Sequence, residues 1–254
     1  MEWPGLLSDC SWLHVSGITP LVSPQARKSW QEALKEALRR KLPVSLDLNH
    51  RPQLGTLEEL WEIVKVFCEA LELLILSYDQ LQGLALLLFG SQVEDSDGCY
   101  LSMMARLRDF MGCRRLALCR KTRHGGVQSR WSLWVDASGA VASEPLRHVV
   151  RDECGGGSAW AAGVIAALRE QKAPREAMKR GDLLAALCQE PWDVIGNVGG
   201  KRLQACIRSN MPRGPGVNHF NRSTRLFPNK KEFKEGKGEA REPPNACLWH
   251  RKMR

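Results

Sequence analysis

The sequence has no run of 18 apolar residues, so no segment reads as a membrane-spanning helix. Its longest apolar-rich stretch, Leu71–Phe89, is interrupted by Glu72, Ser77, Tyr78, Asp79, Gln80 and Gln82. The first residues, Met1–Leu13, lack the basic-then-apolar order of a secretory signal. There is also no Cys-x-x-Cys pair and no Cys/His cluster at zinc spacing, and no metal ligands are assigned. The nine cysteines are scattered and odd in number, which points to reduced, mostly buried thiols. These absences make a cytoplasmic protein the expectation. No internal repeat is evident.

Charge of one sign is also scarce over most of the chain. The net charge of +9 comes from 37 Lys/Arg against 28 Asp/Glu, but residues 209–254 alone hold 11 against 4. Residues 1–208 therefore carry only +2, and the basic character says little about the part that folds. The tail also holds five of the 13 prolines and the run Lys230–Glu239, so it is expected to be disordered. Its Phe220, Phe227 and Phe233 among basic residues suit single-stranded nucleic acid. Four glutamates and the lack of a fold motif favour a solvated tail instead, so a nucleic-acid partner is not expected. A length of 254 residues allows one large domain or two modest ones. The division expected is a poorly defined N-terminus (1–11), a folded domain (12–208) and the tail (209–254). No oligomeric state follows from the residues.

Within 12–208, strand and helix patterns alternate. Trp12–Ile18 is a short apolar segment. Ser23-Pro24 starts a helix, with Ser at the cap and Pro at the first helical position, and Leu34, Leu38 and Leu42 form its apolar stripe. Pro43–Leu48 reads as a buried strand and Asn49–Gly55 as a loop. Thr56 with Glu59 makes a capping box. Leu73–Ser77 is a further strand, with helices over about 79–89 and 99–111. Arg115–Cys119 and Arg130–Asp136 are strands, the second ending in a turn at Asp136–Gly139. Helices over Ser158–Gln171 and from Pro174 to about Cys188 follow. Such alternation predicts an α/β fold, a mostly parallel central sheet flanked by helices. The lone histidines His14, His50, His124 and His148 have no partner pattern and read as structural, as does the Trp131/Trp134 pair.

Two segments carry chemistry. Asp152-Glu-Cys-Gly-Gly-Gly-Ser158 runs straight into a helix, so Gly155, Gly156 and Gly157 let backbone N–H groups approach an anion where the helix dipole favours negative charge. The plain alternative is a glycine hinge. No Lys-Ser/Thr follows, which excludes a Walker A loop, and Trp160 excludes a nucleophile elbow. The second segment is Val44-Ser-Leu-Asp-Leu-Asn-His-Arg-Pro52. It delivers Asp47, Asn49 and Arg51 at the C-terminal end of a buried strand, the edge where ligands bind in parallel α/β sheets, and Arg51 can hold a carboxylate or phosphate bidentately.

With His14-Val-Ser-Gly-Ile-Thr-Pro20 ahead of both, the chain resembles the PfkB, or ribokinase-like, carbohydrate kinases, and among them the 2-keto-3-deoxygluconate kinases. Ser45–Pro52 with Leu54 is similar to that group's "S-x-D-x-N-x-R-x-x-L-W", with Gly55 in place of the Trp. Asp152–Gly163 is similar to the "D-x-x-G-G-G-D-(A/S)-F-x-A-G" signature. The resemblance covers roughly residues 12–208 and implies ATP-dependent phosphoryl transfer to a hydroxyl of a sugar acid, with ATP and Mg²⁺ as cofactors. It implies an anion hole at Gly155, Gly156 and Gly157, substrate contacts from Asn49 and Arg51, and a nucleotide loop at Cys119 and Lys121. The group's N-terminal third, with its lid, has no counterpart, so the expected fold is a ribokinase-like α/β domain lacking that portion. The general-base Asp falls on Ser158, whose hydroxyl cannot accept a proton at neutral pH, and losing such a base commonly costs about 10²–10⁴-fold. The group's Asn-x-x-Glu, which supports the magnesium–phosphate site, falls on Ser77-Tyr-Asp-Gln80. The alternative expectation is therefore a non-catalytic relative that binds nucleotide or serves as an interaction module.

Overall fold

A computed structural model of the chain describes residues 2–190; the tail expected at 209–254 and the last part of the domain expected to end at 208 lie outside the described residues. The elements run α1 (Trp3–Leu6), β1 (Leu13–Ser16), α2 (Thr19–Val22), α3 (Pro24–Arg39), β2 (Val44–Asp47), α4 (Leu57–Val64), β3 (Leu73–Leu76), α5 (Tyr78–Phe89), α6 (Asp97–Met111), β4 (Leu116–His124), β5 (Val127–Asp136), β6 (Gly139–Ala142), β7 (Leu146–Val149), α7 (Gly156–Arg169) and α8 (Pro174–Gln189). A 3₁₀ turn, Lys65–Ala70, prolongs α4.

The starts of these helices follow from their sequences. The Ser23 hydroxyl accepts the Ala26 N–H, with Pro24 opening α3. Thr56 and Glu59 form the reciprocal capping box expected for α4. Ser77 and Gln80 form a second box at α5, so the two residues that replace the family's Asn and Glu are occupied in starting a helix. Ahead of β1, the Arg40 guanidinium on the end of α3 donates to the carbonyls of Pro4 and Leu7 and ties α1 down.

The seven strands form one sheet in the order β1-β2-β3-β4-β5-β6, with β7 also on β5. β1 to β4 pair in parallel, as the βαβ alternation requires. Beyond them β4 and β5 form an antiparallel hairpin closed at Gly125-Gly126, and β6 and β7 lie end to end on the far side of β5. Both strands of the hairpin run past the apolar stretches that marked them in the sequence, through polar residues at its tip. β7, Leu-Arg-His-Val, was too short and mixed to register as a strand.

Alternation along each strand sends neighbours to opposite layers. Leu74, Leu76, Leu116, Leu118, Leu133 and Val135 join α3 to α6 in one apolar core. Leu73, Ile75, Ala117 and Trp134 face the other way, into a second core with Trp160, Val164, Ala177 and Met178 of α7 and α8. Both faces of the central strands are thus covered. Among the described residues, no helix is long and apolar enough to cross a membrane.

Two glycines set how closely α7 and α8 approach. A Cβ on Gly163 would lie 2.8 Å from the Arg180 carbonyl oxygen and 2.9 Å from the Gly181 Cα, and one on Gly181 would lie 2.9 Å from the Trp160 ring nitrogen. Backbone fills the space at Gly163, so nothing can swing aside. Gly163→Ala is expected to cost about 1–3 kcal/mol through overpacking. A urea titration would show this as a lower midpoint at an unchanged slope.

Candidate functional site

The C-terminal ends of the parallel strands open into a cleft of about 530 Å³. Register fixes its floor. Asp47, Ile75, Ala117 and Trp134 are consecutive partners across β2, β3, β4 and β5, so they share the face that α7 and α8 cover. One step further out, Cys119 pairs with Ser132, and Lys121 with Arg130. The cleft is lined by Asp47, Asn49, Arg51, Asp79, Cys119 and Lys121 on its strand side and by Gly156, Gly157, Trp160 and Gln189 on its helix side.

The glycine segment behaves as its composition predicts. Gly155 takes a left-handed conformation (φ 74°), and α7 begins at Gly156, two residues earlier than expected. No side chain caps this helix and no acidic residue sits in its first turn, so its first N–H groups have no acceptor among the described residues. Gly156 and Gly157 line the cleft, whereas Gly155 and Ser158 flank them outside the lining. Ser158 is exposed and makes no side-chain hydrogen bond among the described residues.

Two of the sequence motifs meet directly. The Asn49 side-chain amide donates to the Ser16 hydroxyl (3.2 Å), which also accepts the Ile18 N–H (3.3 Å). A Cβ on Gly17 would collide with the Leu48 carbonyl oxygen at 2.1 Å, so the Ser-Gly-Ile-Thr-Pro turn needs its glycine to pack against the end of β2. Asn49 itself has φ 40°, a region asparagine tolerates better than most residues. His50 Nε2 donates to the Gly55 carbonyl (2.8 Å) and closes the loop, a structural role as expected. Arg51 is left exposed at the mouth, in no ion pair among the described residues.

Sequence reasoning missed the polar layer beneath the glycines. The Gln189 side-chain oxygen accepts from Gln128 (3.2 Å), Arg130 (3.3 Å) and His148 Nε2 (3.1 Å), while its nitrogen donates to the Glu153 carbonyl (3.3 Å). The Gln189 backbone carbonyl accepts the N–H groups of Arg151 and Asp152. Arg130, 4% exposed, also donates to Cys119 Sγ (3.1 Å) and lies 3.6 Å from Asp182. Asp182 accepts from Ser132 and Ser143 (2.8 Å each) and from the Trp160 ring N–H (3.1 Å). Burial pushes its carboxyl upward, against the pull of Arg130 and these donors. The signal available in the sequence was Gln128, Arg130 and Ser132 at alternate positions. That pattern reads as the solvated face of a strand; here α8 covers it.

Burial also pushes the Cys119 thiol up, so it stays protonated. Asp47 is pushed up to about 6, chiefly by burial, against the Asn49 backbone N–H and the Arg51 charge. The arrangement can therefore receive an anion at the start of α7, hold an acid at Arg51, and move a proton at Asp47.

Among models of known protein families, none matches the chain. Solved structures do. The 2-dehydro-3-deoxygluconokinase of Thermotoga maritima superimposes with a TM-score of 0.74 at 19% identity, over 82% of this chain and 64% of that one. A PfkB family carbohydrate kinase of Listeria grayi gives 0.69 at 21%, over 82% and 63%. Aminoimidazole riboside kinase of Salmonella enterica, solved with aminoimidazole riboside and an ATP analogue, gives 0.59 at 20%, over 77% and 62%.

Removing one partner of the Arg130–Asp182 pair leaves the other charge buried alone. Asp182→Ala is expected to cost about 3–5 kcal/mol, and Asp182→Leu with Arg130→Met markedly less, in chemical denaturation. This chain spans just under two thirds of the length of these solved sugar kinases and superimposes on them over most of its own: the protein has the ribokinase-like fold of the PfkB carbohydrate kinases.

Proposed function

We propose that the chain binds ATP and transfers its terminal phosphoryl group to a hydroxyl of a sugar acid of the 2-keto-3-deoxygluconate type. The observation that carries this reading is the uncapped glycine start of α7 opening into the same cleft as the Asn49–Arg51 loop. The free N–H groups around Gly155, Gly156 and Gly157 take the transferring phosphate, where preorganised donors stabilise developing charge. Arg51 binds the acid's carboxylate, Asn49 positions the loop, and Cys119 and Lys121 border the nucleotide. The likeness to the Thermotoga maritima and Listeria grayi kinases supports the reading.

The two positions of the usual magnesium seat are taken up in a helix cap here. Ser77 and Gln80 are held in their reciprocal cap, and no group of three or more His, Cys, Asp or Glu side chains is placed to ligate an ion among the described residues. A second reading draws on this and on Ser158: a protein that retains nucleotide binding and has lost transfer.

Phosphorylation of a panel of sugar acids with ATP and Mg²⁺, alongside calorimetric ATP binding, separates the two. Turnover of at least one acid is expected, and nucleotide binding without any turnover selects the second reading. Should the chain bind nucleotide without turnover, Ser158→Asp, which adds a carboxylate to the first turn of α7, is expected to create measurable turnover. Arg51→Ala is expected to raise KM for the acid while changing kcat little, the pattern of lost uniform binding.

A further inference from the structure

Phosphoryl transfer from ATP to a hydroxyl leaves one proton to be taken up, and Ser158 cannot take it. The cleft nevertheless contains a carboxylate that the fold does not use. Asp47 ends β2, half-buried, with its side chain on the face that α7 covers, in the same cavity as Gly156 and Gly157. No ion pair and no side-chain hydrogen bond engages it among the described residues; only the neighbouring Asn49 N–H reaches it. By contrast, two further carboxylates of the domain's interior are committed: Asp182 accepts from Ser132, Ser143 and Trp160, and Glu72 pairs with Arg114 and Arg115.

Resting on the phosphoryl-transfer reading, we infer that Asp47 is the general base of this site. The acceptor hydroxyl's proton passes to the Asp47 carboxylate as its oxygen bonds to the terminal phosphorus. The bond from that phosphorus to the bridging oxygen breaks, and ADP leaves with the electron pair. Position supports the assignment. Asp47, Arg51, Gly156 and Gly157 line one cavity, so an acid held by Arg51 shares that cavity with Asp47 and with the anion site at the start of α7. Ionisation near 6 leaves Asp47 as the carboxylate at neutral pH and keeps it a better base than an ordinary exposed aspartate.

The other charged or titratable groups facing this cavity are His50 and Arg51 on the following loop, Asp79 at the start of α5, Cys119 and Lys121 on β4, Arg130 on β5 and Glu153 before α7. Burial pushes the Cys119 thiol up, so it stays protonated. His50 is fixed on the Gly55 carbonyl.

The test uses the full chain with ATP, Mg²⁺ and the best sugar acid. Asp47→Asn is expected to lower kcat at least 100-fold while ATP affinity by calorimetry stays within threefold. Adding Ser158→Asp to Asp47→Asn is expected to restore at least tenfold of the loss, because the second carboxylate can take the same proton. A merely structural role for Asp47 predicts no such rescue. In the wild type, kcat/KM is expected to fall with unit slope as pH drops below about 6, the range in which Asp47 becomes protonated. Asp47→Asn turning over within tenfold of wild type, or a loss that Ser158→Asp does not restore, overturns the assignment and leaves the kinase reading standing. A wild-type chain that binds ATP and phosphorylates none of the acids overturns both.

Discussion

One side chain fixes the candidate site. Gln189, the last residue of α8, sits where a Cβ on Gly156 would lie 2.5 Å from its amide nitrogen. From there it reaches β5 through Gln128 and Arg130, β7 through His148, and the segment before α7 through the carbonyl of Glu153. The absent side chain at Gly156 is thus as much a packing requirement as a conformational one. With the amide in place, the start of α7 is held against the strand ends, and Gly156 and Gly157 line the cleft. A buried amide with most of its donors and acceptors satisfied suits this task. It forms bonds in several directions without the desolvation cost of another charge.

Beneath Gln189, the Arg130–Asp182 pair extends the same logic into the core. Each partner is almost fully buried, and each is surrounded by further donors or acceptors from β4, β5, α7 and α8. Pairs of this kind add little net stability, but breaking one is costly, so they favour a single arrangement over near alternatives. Above them, the close approach of α7 and α8 at Gly163 and Gly181 brings Trp160 against Ser132 and Asp182. Glycine packing, a buried ion pair and a buried amide therefore act in series, each placing the next, and the series ends at the cleft.

Much of this architecture could be read from the residues. The caps at Ser23 and Thr56, the alternation of apolar runs with amphipathic stretches, and the glycine run at a helix start each have a local cause; the caps stand where expected, and α7 takes in two of the three glycines. The Asn49 and Arg51 loop, Cys119, Lys121, Gly156 and Gly157 do converge on one cavity. What stayed hidden depends on contacts between distant segments. Gln128, Arg130 and Ser132 look solvated by their spacing, and only the packing of α8 over β5 reveals them as buried. Ser77 and Gln80 showed as departures from a family pattern, yet the identical spacing of three is also that of a capping box. Asp47 was visible at a strand end, but its freedom from partners emerges only once the neighbouring side chains are placed.

The cleft also shows a division between interlocked residues and residues free of side-chain bonds among the described ones. Gly156, Gln189, Asp182 and Arg130 are buried and interlocked, so a change in any of them disturbs the others. Ser158 and Arg51 are exposed and make no side-chain bonds within the described structure. Whatever residue occupies 158, the first turn of α7 keeps its backbone N–H groups and its hold on the strands. A serine there is consequently compatible with an intact cradle, and the fold places no demand of its own on a carboxylate at that position. The proton acceptor is the component of such a site most easily separated from its scaffold. A carboxylate on the opposite wall, at a strand end already fixed by the sheet register, can then take up that role without rebuilding the cavity.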